Sequence, residues 1–315
     1  MSRGILVVPD FFIDVVMHPL LPGAEELLEA IRETIALGGG NVLVRGVVRP
    51  GGNAGNTARV LAALGDDVTL GVVGSSVHAE VARAMLRGVR VVRLGGWGEC
   101  FSAIMEVKRG DRLVNIMFSE KGCLASIGRD EGIRARLEEL LGEGFELGAA
   151  VNIAAWGDPR SLADSLSKLE ILLLDTSDLR GRDPRLMLEA LRSYRARSLT
   201  ILGMNENEAA YYAHHLDTSL RELPSKLAEL LGYTVCLHTP LSAHCEPGRV
   251  IVENPFYTEN PVTATGAGDA WNAGLLDALA RGESLEDAVF HAHRVASCYV
   301  SKGAPCTRSQ LPGGY

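Results

Sequence analysis

The chain has 315 residues, 47% of them apolar, 22% charged and 5% aromatic, enough apolar content to bury one large core or two modest ones and too much for a disordered chain. Its 31 Lys plus Arg against 39 Asp plus Glu leave a formal charge of -8, which gives no overall attraction to polyanions, so neither nucleic acid nor anionic membrane is an expected partner. The first apolar run, residues 5–8, is far below the roughly 18 residues needed to cross a bilayer, and it lacks a signal-peptide layout, so a cytoplasmic protein is expected.

Short Val-, Ile- and Leu-rich runs alternate with longer amphipathic stretches along the sequence. Strands are predicted over residues 4–8, 68–73, 149–153, 171–175, 199–204 and 233–238, and helices over 54–64, 77–87, 161–168, 184–194, 206–215, 225–231, 267–281 and 285–301. Pro184 fits the first turn of one helix and Gly282 lies just past another, as helix ends prefer. This alternation predicts a mainly parallel sheet covered by helices on both faces. Two segments depart from it. Residues 41–49 (NVLVRGVVR) and 100–115 (CFSAIMEVKRGDRLVN) read as strands without partner helices, the second a hairpin turning at Arg109-Gly110-Asp111, and together they predict a small sheet over a cleft. Residues 22–37 (PGAEELLEAIRETIAL) add a helix before the first of these segments.

Six cysteines at 100, 123, 236, 245, 298 and 306 include no CxxC pair and no zinc spacing, so reduced, mostly buried thiols are expected. Cationic residues are lopsided, 26 Arg to 5 Lys, and the chain holds one glutamine, Gln310. Scarce thermolabile amides fit a heat-adapted source, and a GC-rich genome would favour Arg as well.

Three glycine- or amide-rich elements carry chemistry. Thr265-Gly266-Ala267-Gly268-Asp269 opens a helix, where free N–H groups and the helix dipole favour an anion and Asp269 suits a general base; a tight loop with a helix-capping acid is the plain alternative. Gly51-Gly52-Asn53-Ala54-Gly55-Asn56 opens another. Its glycines admit close approach and its amides at i and i+3 suit a polyol, although a simple turn capped by Asn53 fits equally well. Asn205-Glu206-Asn207-Glu208 follows an apolar strand and offers water-mediated Mg²⁺ partners or merely a solvated helix start. No Gly-Lys dipeptide occurs, which excludes a Walker A loop, and the first strand is not followed by G-x-G-x-x-G.

In order, Asp14, the Gly-Gly-Asn-Ala-Gly-Asn block, Asn205 with Glu208, Thr265 to Asp269 and a final Gly303-Ala304 make the chain similar to the PfkB carbohydrate kinase family, of the ribokinase-like superfamily. The resemblance spans essentially the whole length. It implies one three-layer α/β/α domain over residues 1–315, with a mainly parallel central sheet, a β-strand lid at about 41–50 and 99–118, and an inserted helix at about 22–37. It further implies transfer of a nucleotide's terminal phosphoryl group to a hydroxyl of a sugar, nucleoside or polyol. Asp269 would be the catalytic base, with Gly266, Ala267 and Gly268 as the anion hole. Asp14, Gly52, Asn53 and Asn56 would hold the acceptor. Asn205, Thr239, Thr265, Gly268 and His293 would face the nucleotide, and Asn205 and Glu208 would organise Mg²⁺ through water. ATP is the expected donor with ADP as the alternative, and a homodimer is expected through the lid. A catalytically silent binding relative is the alternative of another class.

The sequence also departs from that family. Thr263-Ala264-Thr265 replaces the usual Asp-Thr-Thr, which puts a monovalent cation in doubt, and Phe12 stands where an Asn often precedes the early Asp. Thr239-Pro240-Leu241-Ser242-Ala243 replaces a glycine-bearing nucleotide loop, and its proline removes an N–H. Arg45, Arg49, Lys108, Arg109 and Arg112 in the lid would clamp a phosphorylated acceptor or simply solvate the lid face. Arg59 matches an Arg of the phosphofructokinase-type branch.

Overall fold

In the computed structural model, which describes residues 4–110 and 112–313, the apolar runs become the strands of one large sheet. The chain enters through β1 (Ile5–Val8), leaves for β2 (Phe12–Pro19), α1 (Ala24–Ala36) and β3 (Val44–Gly51), and returns through α2 (Asn53–Leu64) and β4 (Val68–Val73). After α3 (Ser76–Met85) and β5 (Arg90–Gly95) it departs again as the hairpin β6 (Phe101–Arg109) and β7 (Arg112–Glu120). Then follow α4 (Glu131–Leu141), β8 (Leu147–Ala150), α5 (Ala163–Leu166), β9 (Ile171–Asp175), α6 (Pro184–Arg192), β10 (Leu199–Met204), α7 (Glu206–Leu216), α8 (Leu223–Leu231) and β11 (Thr234–His238). The antiparallel β12 (Ser242–Glu246) and β13 (Val250–Glu253) precede α9 (Ala267–Ala280) and α10 (Leu285–Lys302).

The main sheet has nine strands in the order β13-β12-β11-β10-β9-β8-β1-β4-β5, parallel from β11 to β5. Helices cover both faces, and the side chains of β1 divide between two cores. Ile5 and Val7 pack with α2, α9 and α10, whereas Leu6 and Val8 pack with α4, α6 and α8. Because both faces are covered, every residue of β4 (VTLGVV) is buried, as strands of parallel sheets require. This is the three-layer α/β/α arrangement that the sequence predicts.

The second sheet has four strands in the order β3-β2-β6-β7. One of its two inner strands, β2, is absent from the predicted strands, because residues 9–14 read as a link after β1. The hairpin turns at Gly110, with Arg109 paired to Arg112; Asp111 lies outside the described residues. Two other boundaries shift. Residues 151–153 leave β8 because Asn152 adopts φ 55°, a left-handed conformation that Asn tolerates, and of residues 161–168 only Ala163–Leu166 is α-helical. Among the described residues no helix is long and apolar enough to cross a membrane.

The cysteines correct a prediction. All six pair, as Cys100–Cys123, Cys236–Cys245 and Cys298–Cys306. The fold creates these neighbours: Cys236 and Cys245 face each other across the β11–β12 ladder, and Cys100 and Cys123 flank the lid hairpin. Spacing alone carried no sign of either juxtaposition.

Candidate active site

The strand order reverses between β8 and β1: later strands run outward one way, and β4 and β5 the other. Ligands of open α/β sheets bind beyond the C-terminal strand ends at such a switch point. There a cleft of about 910 Å³ opens between the main sheet and the lid. Asn152 follows β8, Asp175 ends β9, Asn205 follows β10 and His238 ends β11, and all four line it. Asp14, Gly52, Asn53, Asn56, Asn205, Glu208 and Thr265 to Asp269 line it too.

On the lid side Asp14 projects from β2 in register with Arg49 of β3 and Ser102 of β6, and Ser102 pairs with Ser119 of β7 across 3.0 Å. Paired residues share a face, so a carboxylate and two hydroxyls look into the cleft together. Burial pushes the Asp14 carboxyl up to about 6, against the opposing pull of Arg49 and Arg59. Gly51 leaves the space that this carboxylate occupies: a Cβ there would lie 2.1 Å from Asp14 Oδ2. Gly52 has φ 80° and caps α2, and a Cβ on it would meet the backbone N of Phe12 at 2.9 Å. Asn53 is therefore the first helical residue rather than the cap. The missing cap comes from Asp10, whose Oδ1 accepts from the Ala54 N–H at 2.6 Å while Oδ2 accepts from Asn152 Nδ2 at 2.7 Å. Asp10 is fully buried and pushed up to about 6 by that burial. Sequence reasoning missed Asp10; its only sign was an acid just past β1.

On the opposite side α9 begins at Gly266, with φ 84° and a missing Cβ that would lie 2.8 Å from Tyr299 Oη. The helix N-terminus points into the cleft with Asp269 in its first turn. The Ala267 N–H turns back to the Ala264 carbonyl at 3.3 Å, so its share in anion binding is reduced. Asp269 Oδ2 accepts from Asn56 Nδ2 at 2.9 Å, which ties the two glycine blocks together. Burial, then the nearby carboxylate of Asp175, pushes Asp269 well above the ordinary carboxylate range. Asp175, unpredicted, accepts from Asn272 Nδ2 at 2.7 Å and from the Ser177 N–H at 2.8 Å.

Asn205 and Glu208 form a capping box on α7: Asn205 Oδ1 accepts from the Asn207 and Glu208 N–H groups, and Glu208 Oε2 accepts from the Asn205 N–H at 3.2 Å. Burial and Asp175 push Glu208 well above its ordinary range, so a positive charge beside it would relieve two crowded carboxylates. Among the described residues no three metal-binding side chains converge closely enough to hold an ion directly. A hydrated Mg²⁺ nevertheless suits this donor set, since Mg²⁺ keeps several waters.

Two expected nucleotide residues lie outside the cleft lining. Thr239 Oγ1 accepts from the Leu241 and Ser242 N–H groups and so caps its own turn. His293 is 1% exposed within α10, and burial lowers it to about 4. The histidine that reaches the cleft is His238, stacked on Trp271 at 4.4 Å and lowered to about 3 by burial. Its place at a parallel strand's C-terminal end was the available signal. Arg59 donates to the Pro50 carbonyl at 3.1 Å.

Residues 176–311 match the profile described as pfkB family carbohydrate kinase. The chain is PfkB-like in sequence and ribokinase-like in fold. The ribokinase of Thermotoga maritima superposes with a TM-score of 0.71 at 17% identity, over 98% of this chain and 96% of its own. The ribokinase of Arabidopsis thaliana, solved with ribose and ATP, gives 0.69 at 17%, over 98% and 97%. A nucleoside kinase of Burkholderia thailandensis, solved with inosine, gives 0.65 at 16%, over 98% and 95%. At these identities the likeness is one of fold. No curated protein matches this PfkB-like chain.

Proposed function

We propose that the protein is a cytoplasmic, Mg²⁺-dependent kinase that transfers the terminal phosphoryl group of ATP, or of ADP, to a hydroxyl of a sugar, nucleoside or polyol. The observation that carries this reading is the meeting of Asp269, the N-terminus of α9 and Asn56 at one end of a lidded cleft. Asp269, raised in basicity by its buried position, takes the proton of the attacking hydroxyl. Asn56 holds the Asp269 carboxylate in place. The N–H groups of Gly266 and Gly268 face the charge that develops on the transferred group. Asp14, Gly52 and Asn53 hold and orient the acceptor, and the lid keeps water from competing for the phosphoryl group. Asn205 and Glu208, through water, would hold Mg²⁺, which when bound neutralises charge on the nucleotide phosphates. Thr265 lies on the nucleotide side of the same loop. On the face of the small sheet away from the cleft, Val48 and Phe118 are 60% and 61% exposed, which supports a homodimer through the lid, to be tested by mass in solution. Three disulfides fit a heat-adapted source, because intracellular proteins of hyperthermophiles are disulfide-rich where those of mesophiles are not.

The test is a matrix of acceptors against ATP and ADP with Mg²⁺, reading phosphorylated product. Transfer to at least one sugar, nucleoside or polyol is expected. Nucleotide binding with no transfer to any acceptor would instead support the silent-relative reading.

A further inference from the structure

The lid cations read either as a clamp for a phosphorylated acceptor or as a solvated lid face, and the fold sorts those residues. Arg45, Lys108 and Arg109 are exposed, and none lines the cleft; the Arg112 side chain lies outside the described residues. Arg49 lies across the strand pair from Asp14 and acts on its carboxylate. Arg180 lines the cleft, but its guanidinium is held by Asp178 at 2.7 Å and is mostly exposed. Lys121 differs from all of these. It lines the cleft, and among the described residues its ammonium has neither a hydrogen bond nor an ion pair.

Its backbone is fixed from both sides. Lys121 stands where the lid hairpin rejoins the main body, one residue after β7. Its carbonyl accepts from the Leu124 N–H at 3.0 Å, and the next residue, Gly122, donates its N–H to the Glu120 carboxylate at 2.6 Å. Cys123, two residues on, is joined to Cys100 at the hairpin's other base. Lys121 lines the same cleft as Ser119 and Asn152, and its charge acts on the carboxylates of Asp10 and Asp178. A half-buried lysine with no direct ion pair loses solvation when the cleft fills, and an incoming anion would restore the balance. Neutral hydroxyls are already served by Asp14, Asn53, Asn56 and the lid serines.

We propose that Lys121 determines acceptor specificity by binding an anionic group, a phosphate monoester or a carboxylate, that the acceptor carries away from the hydroxyl being phosphorylated. The inference rests on the kinase reading above. It makes Lys121, rather than the lid arginines, the residue that separates charged from neutral acceptors.

The experiment compares wild type with Lys121→Met and Lys121→Arg on matched acceptors: an aldose, its terminal phosphate monoester and its aldonate. Wild type is expected to favour one anionic member by about tenfold or more in kcat/KM, the scale of a hydrogen bond to a charged group. Lys121→Met is expected to remove that preference by raising the KM of the anionic acceptor alone, with the KM for MgATP unchanged, and Lys121→Arg to restore most of it. Preference for the monoester or for the aldonate says which anion the site takes. An anionic acceptor used equally well by wild type and Lys121→Met overturns the inference and leaves the kinase reading standing, as does a rise confined to the KM for nucleotide. If no acceptor is turned over, calorimetric titration of the same three compounds decides independently: an anionic compound bound by wild type and lost in Lys121→Met supports the inference, and equal binding or none overturns it.

Discussion

Replacing Gly51 with alanine removes the space in which the Asp14 carboxylate sits. The new Cβ would stand 2.1 Å from Oδ2, 2.2 Å from Cγ and 2.5 Å from Oδ1, whereas carbon and oxygen without a bond between them need more than about 3 Å. The backbone of Gly51 is not left-handed, so alanine strains nothing but this contact. The carboxylate must therefore swing about 1 Å or more out of line with Ser102. A misplacement of that size costs up to about 10²-fold in rate, so kcat/KM for the acceptor should fall by roughly 10- to 100-fold while the KM for MgATP stays put. Steady-state kinetics with each substrate varied in turn would read both. The double variant Gly51→Ala/Asp14→Ala should be no worse than Asp14→Ala alone, because the two changes act through one group. A Gly51→Ala enzyme with wild-type acceptor kinetics, or full additivity in the double variant, would refute the placement of Asp14 at the acceptor.

The remaining expectations concern stability. Asp277 is fully buried on α9 and meets Arg281, Arg308 and His291, the last at 2.7 Å, so Asp277→Asn should lose about 3 kcal/mol or more in denaturant unfolding, and a loss below about 1 kcal/mol would contradict that cluster's role. Asp10 is raised to about 6, so its contribution is present below the unfolded carboxylate value near 4 and is lost as pH rises through 6. The stability difference between wild type and Asp10→Asn should then shrink by up to about 3 kcal/mol from pH 4 to pH 7, and a difference that grows with pH would reverse the sign. Cys306→Ser opens the bridge that ties α10 to the segment bearing Arg308; a loss of about 2–4 kcal/mol is expected, from a thermal midpoint above the mesophile range, and a midpoint inside that range would remove the heat-adapted reading.

The main sheet was legible because its strands are buried on both faces and therefore read as unbroken apolar runs, β4 and β9 above all. The strands that escaped are those with a solvent side. β5 exposes Arg90 and Arg93 on either side of the buried Val91 and Val92, and β2 alternates buried and half-buried residues through Asp14, so the acid looked like part of a loop. In the site, the glycine blocks were readable because a φ near 80° at Gly52 and Gly266 demands glycine. Asp10, Asp175 and Lys121 carried no motif; only the strand order brings them to one end of the sheet. The burial of His293 was illegible for the converse reason, since residue type does not say which side of α10 is buried.

Asp269→Asn tests the central claim most directly. The substitution keeps the size of the side chain and removes the base, so kcat should fall by roughly 10²- to 10⁴-fold while nucleotide affinity, measured by calorimetry on the same preparation, stays within about twofold. A variant that transfers phosphoryl groups at the wild-type rate would contradict the account.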